Sequence, residues 1–266
     1  MRIDYELIVP SASRPHLLEP ALGSLFAQVD QLPVQVIVHD DAAFPGRRAA
    51  VEAVLARVVP PGIPLVYQHD DPPWSHGPAL HWLLAQAQTE FLLYTQDDLR
   101  VVRPLPIQQT LWLMRKYQLH HVRFNKRPTM EWKRDWQKLP VEFDGVTFCI
   151  SDHWYFQTSL WRKDMIRPVV AWLWAMLGPR FADQAEAKIN HVLDGREPHF
   201  GHPFFPLPPK KCDPMHPRIR HEFQRTYIWG PVGEDRFVEN LGFQPEDWAL
   251  TRARGGVGIR DSQGGP

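Results

Sequence analysis

Apolar and polar positions follow two different rhythms along the first hundred residues of the chain. Short apolar runs that stop at polar residues predict strands at 5–9, 34–38, 65–67 and 91–94. Between these runs, apolar residues recur at helical spacing, which predicts helices over 15–28, 47–58 and 79–87. Strands that alternate with helices form a parallel sheet with right-handed crossovers, so the expected fold class is α/β.

The pattern is looser beyond residue 100. Helical spacing predicts helices over 107–117, 164–176, 183–193 and 234–241, and apolar runs predict strands at 121–124 and 146–150. Because no clean linker separates the two halves, we interpret 1–253 as a single domain. The last segment, 254–266, is rich in glycine and is expected to form a flexible tail.

Composition narrows the class of protein without indicating a ligand. The chain has 266 residues, of which 44% are hydrophobic and 23% charged, and its formal net charge is zero. These values give no reason to expect a membrane surface, nucleic acid or a strongly charged substrate. Neither a transmembrane run nor a signal peptide is predicted. Cys149 and Cys212 lack a CxxC spacing, so we interpret them as reduced thiols of a cytoplasmic protein.

Each predicted strand of the first half is followed by polar or acidic residues. The pairs are, in chain order, Pro10–Ser11, Asp40–Asp41, Asp70–Asp71 and Asp97–Asp98. In an open parallel sheet, ligands bind beyond the carboxyl ends of the strands. We therefore expect the acidic pairs to converge on one edge of the sheet and to line a crevice there.

Asp97 and Asp98 are the strongest candidates for chemistry, because two adjacent carboxylates end a buried strand. Carboxylates that share a crevice repel each other unless a cation occupies the gap. Oxygen ligands suit Mg²⁺ or Mn²⁺ better than zinc, and the thirteen histidines show no recurring ligand spacing. By spacing alone, an alternative is equally open, in which Asp97 caps the next element and Asp98 is solvated.

Several segments resemble the family-two-type nucleotide-sugar glycosyltransferases of the GT-A fold. The resemblance covers residues 5–103 through IVPSASRPHLLEPALGSLFAQ, VIVHDDA and GPALHWLLAQAQTEFLLYTQDDL, and continues in WYFQTSLWRKDMI and TYIWGPVGEDRFVENLG. It implies a GT-A-like fold with a Rossmann-like, mostly parallel central sheet flanked by helices. Residues 1–103 would form the nucleotide-sugar-binding half, and 104–253 a less regular acceptor-side half.

The resemblance also implies an activity and a cofactor. The chain would be a hexosyltransferase-like enzyme that moves a sugar from a nucleotide-diphosphate sugar, with a UDP-sugar favoured, to a hydroxyl acceptor. Mn²⁺ or Mg²⁺ would neutralise the charge that develops on the leaving diphosphate. Gln96, His81 and Asn240 depart from the family pattern, which has an acid, an asparagine and a histidine there, so metal dependence stays open.

Residue roles follow from the resemblance, position by position. The residues implied in binding the nucleotide sugar are Pro10, Ser11, Arg14, Asp41, Asp70, Gly77 and Asp97, and the implied metal ligand is Asp98. From the residues alone, Arg14 is equally well read as a solvated residue at a helix start. Asp40 is equally well a turn or cap residue, and the segment after Asp70 a rigid loop.

An inverting transferase also needs a carboxylate base near the acceptor hydroxyl. Asp183 and Glu186 are three residues apart and would share one helix face, and the resemblance favours Glu186. Asp152, at the end of a predicted strand, is the rival candidate. A solvated helix surface is the alternative for Glu186, and a retaining enzyme would need no such base.

Other functions and two acceptor classes stay open. A nucleotidyltransferase would carry a glycine-rich basic loop after its first strand, and PSASRPH contains no glycine. A catalytically inactive sugar- or nucleic-acid-binding module is supported weakly by Gln96 and Asn240. The acceptor would be a glycan or, because of the basic stretch at 210–225, a modified nucleic-acid base. Tryptophans that could stack on sugar rings, or fill the core, are Trp132, Trp136, Trp154 and Trp161.

Overall fold

The computed structural model describes most of the chain. The described residues are 2–42, 44, 46–70, 74–124, 140–151, 154, 156–181, 185–193, 226–230 and 236–241. Asp152, Asp183, the basic stretch at 210–225 and the tail at 254–266 lie outside them, so the expectations for these residues stay predictions. The division of the domain at residue 103 also stays a prediction.

The first half folds as its alternating pattern predicted. Its elements are β1 (Tyr5–Ser11), α1 (Pro15–Gln28), β2 (Gln35–Asp41), α2 (Arg48–Val58), β3 (Leu65–Asp70), α3 (His76–Gln86) and β4 (Phe91–Tyr94). The strands pair in parallel in the order β3-β2-β1-β4. Pro15 begins α1, where its missing N–H has no helical partner to lose and its fixed φ favours the helix.

The second half adds strands to the same sheet and also forms a separate two-stranded sheet. Its elements are β5 (Leu99–Val101), α4 (Ile107–Tyr117), β6 (His121–Arg123), β7 (Pro140–Phe143), β8 (Val146–Ser151), β9 (Ser159–Arg162), α5 (Lys163–Leu177), a 3-10 turn (Gly178–Phe181), α6 (Ala185–Leu193), β10 (Thr226–Trp229) and β11 (Val238–Asn240). β9 pairs antiparallel with β4, and β6, β10, β8 and β7 follow in that order. Because these strands extend the sheet sideways from β4, the carboxyl ends of the parallel strands stay uncovered by them. Helices cover both faces of the sheet.

The helix predicted over 234–241 is wrong. Residues 238–240 instead form β11, which pairs antiparallel with β5. Phe237 and Val238 are buried, and the Val102 N–H donates to the carbonyl of Phe237 at 2.8 Å. An isolated helix of this length has only marginal stability. Pairing with a strand far away in the chain is therefore more favourable than the short helix that the pattern predicted.

An apolar layer lies on each face of the sheet. Helices α1, α2 and α4 cover one face with residues such as Leu18 and Leu111, and α3, α5 and α6 cover the other with residues such as Leu80 and Val170. Tyr94, the last residue of β4, is fully buried in the second layer. Among the described helices, none combines the length and the apolar character needed to cross a bilayer.

Candidate active site

A cavity of about 240 Å³ opens at the carboxyl edge of the sheet, beyond the ends of β1, β2 and β4. The predicted site residues that line it are Pro10, Ser11, Arg14, Asp41, Asp97 and Asp98. His76 and Gln96 line it as well. The acidic ends of two strands therefore meet at one crevice, as the parallel topology predicted.

Arg14 and Asp97 form a buried ion pair across the floor of the cavity. The guanidinium of Arg14 donates from Nη2 to Oδ1 of Asp97 and from Nε to Oδ2, the latter at 3.2 Å. Asp97 also accepts the backbone N–H of Ala12 at 2.9 Å and the hydroxyl of Ser11 at 3.3 Å. Asp97 thus fastens the loop after β1 to the end of β4, and Arg14 is not a solvated residue.

Asp40 fixes the same loop from the side of β2. Ser13 adopts a left-handed backbone with φ of 56°, and its N–H donates to Oδ1 of Asp40 at 2.7 Å. The ring of His69 contacts Oδ2 at 2.9 Å, and the hydroxyl of Tyr67 donates to the same oxygen at 3.2 Å. Because Asp40 is fully buried, it acts as a capping residue that shapes the cavity wall without facing it.

Asp41 ends β2 with a carboxylate on the cavity wall. Its Oδ2 accepts the backbone N–H of Ser75 at 2.8 Å, which ties β2 to the turn before α3. Burial raises the pKa of Asp41, and backbone hydrogen bonds from Ser75 and Trp74 lower it in part. The turn before α3 therefore fixes the position of the Asp41 carboxylate, and His76 directly follows this turn.

Asp70 ends β3 but does not line the cavity. Its Oδ2 lies 2.6 Å from Nε2 of the buried His39, and its Oδ1 accepts the amide of Gln68 at 2.7 Å. Burial lowers the pKa of His39, whereas the charge of Asp70 raises it. The Asp70 carboxylate therefore contacts side chains of β2 and β3 and helps to hold these two strands together.

Gly77 also lies outside the cavity lining, at the start of α3. A Cβ atom built at this position would meet the backbone oxygen of Phe181 at 2.3 Å. This approach is possible only without a side chain. The glycine that the resemblance implied in donor binding therefore lets α3 pack against the 3-10 turn at 178–181.

His76, Tyr94 and Gln96 form a hydrogen-bonded row that sequence reasoning missed. The amide Nε2 of Gln96 donates to the hydroxyl of Tyr94 at 3.0 Å, and that hydroxyl lies 3.2 Å from Nε2 of His76. The imidazole stacks on Phe156 with ring centroids 4.8 Å apart. Burial lowers the pKa of His76 to about 4, so this side chain is neutral near pH 7. The sequence feature that could have indicated His76 is its position directly before Gly77, which the resemblance implied in binding the nucleotide sugar.

Glu186, the favoured base candidate, lies in the first turn of α6. Its Oε2 accepts the backbone N–H of Phe156 at 3.1 Å. The ring of the same Phe156 stacks on His76 with centroids 4.8 Å apart, so Glu186 is linked to the cavity wall through Phe156. Glu186 does not line the cavity itself.

Asp98, the metal ligand that the resemblance implied, lines the cavity. Its Oδ2 lies 3.9 Å from Nη2 of Arg14, and its carbonyl accepts the N–H of Leu241 at 2.8 Å, so β11 returns beside it. Asn240 pairs with Leu99, next to Asp98 in the chain. The described ranges hold no group of three or more His, Cys, Asp or Glu suited to a metal. A divalent ion held by Asp98 would have to complete its shell with water and phosphate oxygens, which are ligands that Mg²⁺ accepts.

The chain resembles known proteins in its structure and not in its sequence. No protein-family model and no curated protein matches the sequence. TarS 1–349 from S. aureus in complex with UDP matches with a TM-score of 0.54 and 12% identity, over 94% of this chain and 64% of that chain. Its UDP-GlcNAc complex matches with a TM-score of 0.50 and 13% identity, over 94% and 65%. The chain therefore has a GT-A-like fold.

A further match is the mannosyltransferase PcManGT from Pyrobaculum calidifontis in complex with GDP-Man and Mn²⁺. It has a TM-score of 0.49 and 17% identity, over 64% of this chain and 47% of that chain. The chain thus spans less than two thirds of the length of each of these matched structures.

Proposed function

We propose that the chain is a glycosyltransferase that moves a sugar from a nucleotide-diphosphate sugar, with a UDP-sugar favoured, to a hydroxyl acceptor. The observation that carries the proposal is the carboxylate of Asp98 at a cavity on the carboxyl edge of a GT-A-like sheet. The match to TarS, whose solved complexes contain UDP and UDP-GlcNAc, supports the choice of donor.

The proposed roles follow from where each group lies. Pro10, Ser11 and Asp41 would contact the nucleoside, because they end the first two strands at the cavity. Asp98 would hold Mn²⁺ or Mg²⁺, which supplies Lewis-acid neutralisation of the leaving diphosphate when bound. Arg14 forms its ion pair with Asp97, and the same guanidinium also places a positive charge beside Asp98.

The base for the acceptor hydroxyl remains a proposal with three candidates. Glu186 is favoured because it accepts the N–H of Phe156, whose ring stacks on His76 of the cavity wall. Asp183, from the same predicted helix face, and Asp152 are the alternatives. A glycan or a modified nucleic-acid base as acceptor, and a cytoplasmic location, belong to the proposal as well.

Thermal unfolding with UDP and UDP-sugars, with and without Mn²⁺, tests the proposal. A ligand present at about 100 times its Kd adds about 2.7 kcal/mol to the free energy of unfolding, so UDP with Mn²⁺ should raise the Tm. We expect Asp98→Ala to abolish the Mn²⁺-dependent part of this rise. Asp4→Ala is the matched control, because Asp4 is an exposed aspartate before the opposite end of β1.

The same samples separate the proposal from its alternatives. Release of free sugar from a UDP-sugar in the presence of Mn²⁺ supports a transferase, since water can replace the acceptor. Binding without any release identifies an inactive binding module, and pyrophosphate release from a nucleoside triphosphate identifies a nucleotidyltransferase. A full Mn²⁺-dependent Tm rise in Asp98→Ala removes Asp98 from the site.

A further inference from the structure

The hydrogen bonds in the row formed by Gln96, Tyr94 and His76 run in one direction. This direction follows from which atoms of the three side chains can donate and which can accept. The amide nitrogen of Gln96 can only donate, and it donates to the phenol oxygen of Tyr94. Tyr94 is fully buried, and its hydroxyl has only one other partner among the described residues, Nε2 of His76. Because a buried O–H needs an acceptor, the phenol must donate to Nε2 of His76.

This direction determines the tautomer of His76. Since Nε2 accepts a hydrogen bond, the proton of the neutral imidazole is on Nδ1. Burial keeps the imidazole neutral by lowering its pKa to about 4, and it raises the pKa of Tyr94, so the phenol keeps its proton. Stacking on Phe156 holds the plane of the imidazole ring.

Two polar atoms of the row are left for a ligand. One is the donor Nδ1–H of His76, and the other is the acceptor Oε1 of Gln96; both residues line the cavity. Within the described part of the chain, neither atom has a hydrogen-bond partner. A donor and an acceptor tied together through one phenol match a hydroxyl group, which itself both donates and accepts.

We propose that Gln96, Tyr94 and His76 recognise a hydroxyl group on a neutral sugar of the nucleotide-sugar donor. Gln96 and His76 would contact the sugar, and Tyr94 would position them. The inference rests on the proposed function, because the sugar has to reach this cavity. A sugar acid is disfavoured, because a carboxylate can accept from the imidazole of His76 but has no proton to donate to Oε1 of Gln96.

The tautomer can be measured without any ligand. Two-bond ¹⁵N–¹H NMR spectra of the histidine rings at pH 7.5 should show His76 protonated on Nδ1, with assignment from the His76→Asn spectrum. Gln96→Glu should move the proton to Nε2, because a carboxylate accepts from the phenol and the phenol must then accept from the imidazole. Gln86→Glu, on the exposed surface of α3, is the matched control and should leave the tautomer unchanged.

Calorimetric titration tests the recognition of the sugar. The probes are UDP, UDP-glucose, UDP-GlcNAc and UDP-glucuronic acid, each with Mn²⁺. Tyr94→Phe removes the hydroxyl that positions Gln96 and His76, so binding of the tightest neutral donor should weaken about three- to tenfold. The affinity for UDP itself should stay within about twofold. Tyr5→Phe is the matched control, since the buried hydroxyl of Tyr5 donates to the carbonyl of Gln31, away from the cavity.

The outcomes separate this inference from the function on which it rests. An Nε2 tautomer in the unmodified protein, equal losses for UDP and UDP-sugar, or tightest binding of UDP-glucuronic acid would each overturn the inference while UDP binding still stands. No binding of UDP to the unmodified protein overturns the proposed function and the sugar contact with it. If Tyr94→Phe fails to fold, Gln96→Glu provides the same comparison of UDP with the UDP-sugar.

Discussion

At the scale of single residues, the pair of Arg14 and Asp97 offers a clear test of what holds the cavity together. Both side chains are nearly fully buried, so removal of the cation leaves an unpaired carboxylate in a poorly hydrated place. We expect Arg14→Leu to lower the free energy of unfolding by about 3–5 kcal/mol, measured by urea denaturation at pH 7.

Two further variants make this test specific. Arg48→Leu is the control, because Arg48 pairs with Glu52 on the exposed surface of α2 and its loss should hardly change the midpoint. The double variant Arg14→Leu, Asp97→Leu should recover part of the lost stability, since it removes the stranded charge as well. Equal losses in Arg14→Leu and Arg48→Leu would contradict the role of the buried pair.

The sequence brought Arg14 and Asp97 to the same pocket but not into contact with each other. They are 83 positions apart, and no local pattern encodes a pairing over that distance. The row of Gln96, Tyr94 and His76 was missed for a related reason. Tyr94 reads as one more apolar position of a buried strand, and only the packing of α3 over β1 and β2 brings a histidine to its hydroxyl.

At the scale of elements, the start of α3 depends on the absence of a side chain at residue 77. We expect Gly77→Ala to destabilise the fold by about 1–3 kcal/mol, because its Cβ would overlap the backbone of Phe181 and push the helix off the 3-10 turn. Since His76 is the neighbouring residue, binding of UDP-sugars should weaken as well. Urea denaturation and calorimetric titration measure the two effects.

Gly23→Ala is the matched control for this substitution. Gly23 lies inside α1, and nothing lies within 4 Å of the added methyl group. Alanine there should raise the stability by about 0.5–1 kcal/mol, as helix propensity predicts. A loss in Gly23→Ala as large as that in Gly77→Ala would show that the contact with Phe181 is not the cause.

Elements with a regular apolar period were predictable, and elements created by pairing were not. The bounds of α1 and β4 match the prediction at both ends, because Pro15 marks one start and a buried apolar run defines the other. β11 was mistaken for a helix, since three residues carry too little periodicity and its partner β5 lies far away in the chain.

At the scale of the whole molecule, topology decides where chemistry can occur. Parallel strands place their carboxyl ends on one edge, and the acidic residues that end β2 and follow β4 meet there, whereas Asp70 at the end of β3 does not line the cavity. That convergence was predictable from the alternating pattern. The contribution of the second half was not, because the antiparallel ladder of β11 and β5 reaches the same edge from the other end of the chain.

Leu241→Pro tests whether this return of the chain prepares the site. The N–H of Leu241 donates to the carbonyl of Asp98, and proline has no N–H to donate. The backbone that carries the proposed metal ligand would lose a partner, so affinity for UDP with Mn²⁺ should fall about three- to tenfold in calorimetric titration. Leu241→Ala keeps the N–H and controls for the side chain. Equal affinities of the two variants would mean that the first half of the chain alone holds Asp98 in place.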